Sequence, residues 1–361
     1  MVLVVRGAVK DYDWGIVDGL AAWSDEATGG PQAELWFGVH PGGPSPLIDP
    51  VGDDTGEHLG HHFDVEEIPL LVKLLAAARP LSVQVHPDAE TAAAGWKRQQ
   101  QPGEPRVLSD PFEKTEMMIA LEPFEAFAGW RSREQAAAIL ENVQGTSAAV
   151  AAIRANDIPA AIRELLSISA PERIGQLAAA AQAAGLPLEQ IEAYRTVQEQ
   201  YPNDTGALLT AMLDYLTLDI GEAVYVPAGV PHSYIRGTGV EVMTSSDNVI
   251  RLGLTGKPVF VDRAIEALRL DLEPQIVRAE FGDTLWPTAS PFVVRLLRGG
   301  REKLPKGAYR IVVNVEGKAI IDSDIGEISL RQGTAAVIGA GDPDAWVETA
   351  GLVAVVQSTQ R

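Results

Sequence analysis

In the stretch LSVQVHPD, Leu81, Val83 and Val85 alternate with Ser82, Gln84 and His86. Alternation of this kind sends the two sets to opposite faces of a strand, so a hydroxyl, an amide and an imidazole point the same way from a segment too apolar for a surface loop. Glu116, in EKTEMMIAL, shares an alternating face with Lys114 and Met118, and His232 follows the Pro/Gly turn of EAVYVPAGVPH. Two imidazoles, one carboxylate and one amide oxygen make an open site for a divalent ion such as zinc, leaving room for water or substrate. Each residue also has an ordinary reading. A lone inward histidine is more often hydrogen-bonded within a core, and a glutamate beside a lysine is more often half of a surface pair.

Composition narrows the donors. The chain has no cysteine, which excludes disulfides and thiolate zinc sites. Its six histidines all lie at or before His232, so the C-terminal third has no histidine site. His58 and His62 in GEHLGHHFD have the spacing of H-E-x-x-H, but Leu59 stands where that motif needs a glutamate, and the Gly-interrupted, acid-flanked stretch, His61 included, reads as a solvated loop. His40, in FGVHPGGPSP, precedes a turn and reads as structural. The formal net charge of −20 repels nucleic acid and anionic membranes, so an anionic ligand needs a local basic cluster. The opening MVLVVRG lacks a signal-peptide pattern, and no apolar run approaches the length of a membrane span, which gives a soluble, cytoplasmic expectation.

The elements that must position these groups follow from texture. Up to about Leu121 the chain has short apolar or alternating runs broken by Gly, Pro and Asp clusters, as in an all-β domain with some helix. From Ser132 to Tyr201 it turns Ala-rich with helical spacing, and Ser132 to Gln135 and Ser169 to Glu172 have the pattern of capping boxes. Strand texture returns at EAVYVPAG and continues through FVVRLLRG, YRIVVNVEG, KAIIDS and TAAVIGAG. An internal echo relates GEAVYVPAGVPH, beginning at Gly221, to GTAAVIGAGDPD, beginning at Gly333, and suggests two similar β modules.

At these residues a family resemblance enters. The Tyr-x-Trp-Gly of DYDWG, then AELWFGVHPGGPS, LLVKLLAAARPLSVQVHPD, EKTEM and VPHSYIRGTGVEVMTSSDNVIRLGLTGK run in order from Tyr12 to Lys257 and resemble type I phosphomannose isomerases of the cupin superfamily. The resemblance implies a mainly β fold of two cupin-type (jelly-roll) barrels plus an α-helical domain. Residues 1–131 with 202–258 would form the catalytic barrel, 132–201 the helical insert, and 259–361 a C-terminal barrel without metal ligands. It implies a metal-dependent aldose–ketose isomerase that interconverts mannose 6-phosphate and fructose 6-phosphate through an enediol. Gln84, His86, Glu116 and His232 match the family's zinc ligands, for one zinc or another divalent ion per chain. Glu241 and Asp247 are the acids from which the proton carrier comes, with the choice between them open. Arg251 and Lys257 resemble phosphate and substrate contacts, a planar guanidinium fork suiting phosphate. Lys114 joins Arg251 as a catalytic cation, and Lys73, Ser82 and Trp14 are further substrate contacts. The partner expected is a small sugar phosphate, with the chain as a monomer or weak homo-oligomer.

Two positions depart from the family pattern. Glu113 stands where a histidine is common, removing a proton relay or sugar contact, and Asp344 takes the histidine's place in the second copy of the repeated frame. Two other readings compete: a non-catalytic sugar-phosphate-binding cupin, and a metal-dependent oxygenase or decarboxylase, which would normally use a His-rich set where Gln84 stands. Nucleotide-binding and hydrolase signatures fail, since GTGVEV breaks G-x-G-x-x-G, TGKP lacks the rest of a P-loop, and no G-x-S-x-G occurs.

Overall fold

The computed structural model describes residues 2–49, 51–168, 171–278, 281–324 and 326–359. The fold is mainly β with several sheets. An 11-stranded sheet carries the candidate ligands; along its main path Ala223–Val226, Glu116–Ala120, His232–Thr244, Leu70–Ala77 and Glu34–Phe37 are neighbours, with Val83–Val85 and Ile250–Gly253 attached at the side. A 10-stranded sheet gathers the C-terminal strands, among them Phe292–Leu304, Arg310–Glu316, Thr334–Ile338 and Ala345–Ser358.

Sheet membership does not follow chain order. Val2–Arg6 pairs antiparallel with Thr334–Ile338, Val4 opposite Ala336, and Pro46–Ile48 and Asp54–His58 follow it into the 10-stranded sheet. In return Gln275–Val277 pairs with Ala223–Val226 of the other sheet. The division of the chain at residues 131 and 259 therefore does not describe which strands pair. Local texture marks a segment as a strand, whereas its partner is chosen by long-range packing. The two sheets share a core, in which Val5, Phe37, Val72 and Met117 pack with Phe292, Ile311, Val337 and Val356.

The segment after Ser132 is helical, as its texture predicts: Arg133–Leu140, Ser147–Arg154, Ile158–Ser167, Leu177–Ala183 and Leu188–Gln200. Ser132 caps the first helix by accepting from the Gln135 amide at 3.3 Å, while Ser169, the second expected cap, lies outside the described residues. Ile139, Leu165 and Tyr194 of these helices bury against Val83, Val85 and Ile250, so the helices back the strand that bears Gln84.

The two copies of the repeated frame begin alike. Gly221 and Gly333 have φ of 89° and 78°, the left-handed region that a residue without Cβ enters freely, and each leads into a buried strand. They end differently. Asp344 accepts from the Lys306 amide at 2.7 Å, and the turn before it is tied by buried Arg310, which donates to the carbonyls of Gly339 and Asp342 at 2.7 and 3.0 Å. A guanidinium braces the turn that in the first copy delivers His232.

Candidate metal centre and substrate cleft

His86, Glu116 and His232 come together, and among the described residues they are the one group of three whose ligand atoms converge closely enough to hold a metal ion. The His232 Nε2 lies 2.8 Å from Glu116 Oε1, and the His86 Nε2 lies 3.1 Å from Glu116 Oε2. All three side chains are almost completely buried. His86 Nδ1 donates to the Asn248 carbonyl at 2.7 Å, and His232 Nδ1 donates to the Val230 carbonyl at 3.1 Å. A carbonyl only accepts, so each ring carries a proton on Nδ1 and turns its Nε2 toward the carboxylate.

A neutral imidazole lone pair facing a carboxylate, as at His86, is an unstable arrangement unless something positive lies between them. His86 Nε2 and Glu116 Oε2, although close, are misaligned for a hydrogen bond, and both are buried without a hydrogen-bond partner, the oxygen having only the ion-pair contact with the Lys114 ammonium at 3.3 Å. Such orphaned atoms carry a full desolvation cost, and their chemistry, imidazole nitrogen with carboxylate oxygen, fits a divalent ion of the zinc type. Gln84 lies beside the group, with its amide nitrogen 3.1 Å from His232 Nε2 and its Oε1 accepting from Ser82 Oγ at 3.3 Å, so the amide must turn over for its oxygen to face the group.

The electrostatics keep the ligands ready. Burial alone would raise the Glu116 carboxyl, but the Lys114 ammonium, 3.3 Å away, leads the charges that hold it well below the ordinary carboxylate range. The Tyr234 hydroxyl donates to Glu116 Oε1 at 2.9 Å. Burial first, and then Lys114, push His86 down to about 3, against about 6.5 in an unfolded chain. Between these values the unfolded state binds a proton that the folded state does not. The stability of the metal-free protein should therefore fall as pH drops below about 6.5, by up to about 1.4 kcal/mol per pH unit for this group. Urea unfolding from about pH 8 to pH 5 checks this. His86→Gln should flatten the slope, and an unchanged slope would assign the acid sensitivity to other groups.

The remaining sequence-predicted residues line one cleft that also includes Gln84 and Lys114: Trp14, Lys73, Ser82, Glu241, Asp247, Arg251 and Lys257. Here the chain of net charge −20 supplies its local basic cluster. Lys73 is spoken for, with Nζ 3.1 Å from Glu241 and 3.4 Å from Glu34. Arg251 and Lys257 form no ion pair among the described residues. Arg251 reaches only the Val249 carbonyl at 3.4 Å, and Lys257 lies 5.7 Å over the Tyr12 ring. Two cations without carboxylate partners are what an incoming dianion needs.

Strand register explains how Lys73 and Glu241 arrive. Trp36, Lys73, Glu241 and Met118 form one row across four neighbouring strands, and Glu116 lies two residues along from Met118 on the same face. His232 and Glu241 are an odd number of residues apart on one strand, which strict alternation would send to opposite faces. A bulge resolves this: Glu125 pairs with Arg236 and Ala126 with Tyr234, so one extra residue is taken up. Gly237 follows with φ of 129°, and a Cβ there would meet Phe124 at 2.5 Å.

Comparison with known proteins agrees with this geometry. Residues 2–133 match the phosphomannose isomerase type I catalytic domain. Human mannose-6-phosphate isomerase is 32% identical over 305 residues, spanning 71% of this chain and 69% of its own length. The chain belongs to the type I phosphomannose isomerase family. The mannose-6-phosphate isomerase of Escherichia coli K12 is 29% identical over 385 residues, 97% of both chains. A zinc-bound crystal structure of mannose 6-phosphate isomerase superposes with a TM-score of 0.81 at 27% identity, covering 99% of each chain.

Within this phosphomannose isomerase, several residues with no assigned role in the sequence reading stand in the site. Tyr234 bonds a candidate ligand, and its position two residues after His232 was the available signal. Glu34 shares Lys73 with Glu241 and accepts from Trp36 Nε1 at 2.7 Å, although AELWF reads as a plain apolar strand. Tyr12 and Arg79 also line the cleft. The other histidines behave as structural groups. His40 Nδ1 accepts from the Gly42 amide at 3.1 Å in its turn. His58, His61 and His62 occupy a strand end and a short helical turn rather than an open loop, with His61 and His62 exposed. Among the described residues no helix is long and apolar enough to cross a membrane.

Proposed function

We propose that this chain interconverts mannose 6-phosphate and fructose 6-phosphate by moving a proton between C2 and C1 through an enediol, with Gln84, His86, Glu116 and His232 holding one zinc, or another divalent ion. The observation that carries this reading is the convergence of the Nε2 atoms of two histidines on one buried carboxylate, beside a cleft lined by Arg251 and Lys257. When bound, such an ion polarises or orients the sugar oxygens on which charge develops.

The chain's own groups do the rest. Arg251 and Lys257 grip the phosphate and fix the sugar's reach into the cleft. Lys114 keeps Glu116 ionised and presents its ammonium to the cleft. Glu241 or Asp247 carries the proton; burial raises Glu241, with Lys73 opposing, which is the direction that suits a base working near neutral pH. Trp14 and Ser82 shape the sugar site, and Lys73, held between Glu241 and Glu34, adds a further substrate contact from the neighbouring strand.

The architecture is read as two cupin-type barrels plus a helical domain: a catalytic barrel of 1–131 with 202–258, an insert of 132–201, and a C-terminal barrel of 259–361 without metal ligands, the strand exchanges described above linking the barrels. Similarity over 99% of both chains to a zinc-bound relative supports a shared overall fold. The chain is read as cytoplasmic, working as a monomer or weak homo-oligomer on a small sugar phosphate. NMR of the metal-loaded protein with mannose 6-phosphate in deuterated water should show fructose 6-phosphate forming, and a chelator should stop it. No product from metal-loaded protein would overturn the reading.

A further inference from the structure

His86 and His232 are oriented by different means. His232 Nδ1 donates to Val230, two residues away on its own chain. His86 Nδ1 donates to Asn248, on a corner between the strands His232–Thr244 and Ile250–Gly253 that has no regular structure. The backbone groups of such a corner, and of the irregular segment at residues 109–112 beside it, need partners from outside a sheet ladder, and the Asn248 side chain supplies four of them in the second segment. Asn248 is fully buried. Its Oδ1 accepts from the amides of Ser109 at 2.8 Å and Asp110 at 3.3 Å. Its Nδ2 lies 3.0 Å from the Asp110 carbonyl, 3.0 Å from Asp110 Oδ1 and 2.7 Å from the Phe112 carbonyl. Asp110 reciprocates, accepting from Ser246 Oγ at 2.8 Å and from the Asp247 amide at 3.0 Å. Two segments remote in sequence are thus laced together, and the carbonyl that receives the His86 proton belongs to the laced residue itself.

We propose that Asn248 and Asp110 form a positioning unit for His86, fixing its tautomer and the aim of its Nε2 at Glu116, and through it the affinity of the metal centre. The proposal rests on the reading of His86 as a metal ligand. Without the lacing, the Asn248 carbonyl is free to move, and an imidazole that loses its Nδ1 partner can rotate or exchange tautomer. Either change withdraws the lone pair from Glu116. His232, oriented by its own turn, is unaffected, so the metal centre depends on the loop at residues 109–112 through His86.

Competition of the metal-free protein with a chromophoric chelator for zinc tests this, using wild type, N248A, D110A and the double variant. N248A should bind zinc about 10- to 100-fold more weakly, the usual cost of losing a partner that orients a ligand. D110A should lose less, since Asn248 keeps its bonds to main-chain groups. The double variant should match N248A within about twofold, because residues acting as one unit are not additive. Nitrogen NMR of the metal-free protein should show His86 protonated at Nδ1 in wild type and as a tautomer mixture in N248A. A folded N248A with wild-type zinc affinity would overturn the positioning unit alone, as would additive losses. Wild type that binds no zinc would overturn the metal reading and the proposal with it. Should N248A fail to fold, D110A decides: reduced affinity supports the unit and unchanged affinity overturns it.

Discussion

Replacing His232 with alanine is expected to abolish zinc retention and isomerisation together, each by more than about 100-fold, the upper end of what losing an orienting partner costs. The Nε2 of His232 lies 2.8 Å from Glu116 on a fully buried side chain, so alanine removes a ligand atom already aimed at the carboxylate. The fold should survive. Its immediate neighbours keep bonds of their own, with Tyr234 still donating to Glu116 at 2.9 Å and Lys114 still 3.3 Å away. Metal analysis after dialysis, alongside turnover, checks the prediction. An inactive variant with full metal content would remove His232 from the ligand set while leaving it in the reaction. His58→Ala is the control; although His58 stacks on His61 with centroids 3.6 Å apart, it should change neither quantity.

The second large effect is expected at Lys73. Burial alone would strip its proton, yet Glu241, Glu34 and Asp247 outweigh burial and hold the ammonium well above its ordinary range. Lys73→Met leaves two buried carboxylates without a cation and should cost about 3–5 kcal/mol, the usual consequence of removing one partner from a buried pair. The sign with pH follows. Burial already raises Glu241, and loss of Lys73 removes the charge opposing that rise. A carboxyl with a raised folded pKa is tolerated while protonated and loses stability as pH rises through that value. The penalty should therefore grow from acid to neutral pH. Urea unfolding at several pH values measures it. Adding Glu241→Gln to Lys73→Met should restore part of the stability without restoring turnover. A single variant within about 1 kcal/mol of wild type would show that water, rather than Lys73, solvates these carboxylates.

The candidate ligands were legible because their signal is local. Gln84 and His86 share a strand face, Glu116 lies on the alternating face of EKTEMMIAL, and His232 follows a Pro/Gly turn. The helical stretch was legible for the same reason, as 3.6-residue periodicity needs no knowledge of the rest of the chain. Lys73 illustrates the limit. It sits in LLVKLLAA, a continuous apolar run buried on both faces, where no alternation shows which way the lysine points. Its place beside Glu241 was implied only through the family resemblance and is explained only by the pairing of three strands.

By itself, then, the sequence determined the inventory: which side chains can bind a metal, that no thiolate takes part, that the C-terminal module has no histidine, and where strands give way to helices. Tertiary structure alone decided how these are joined. It placed Val2–Arg6 in the sheet of the C-terminal strands, used the bulge before Gly237 to bring His232 and Glu241 to one side, and hung the His86 tautomer on Asn248. The physical reason is range. Side-chain alternation and capping act within a few residues, whereas strand partners, bulges and the hydrogen bond that aims an imidazole are set by groups far away in the chain, and their energies exist only once those groups have met.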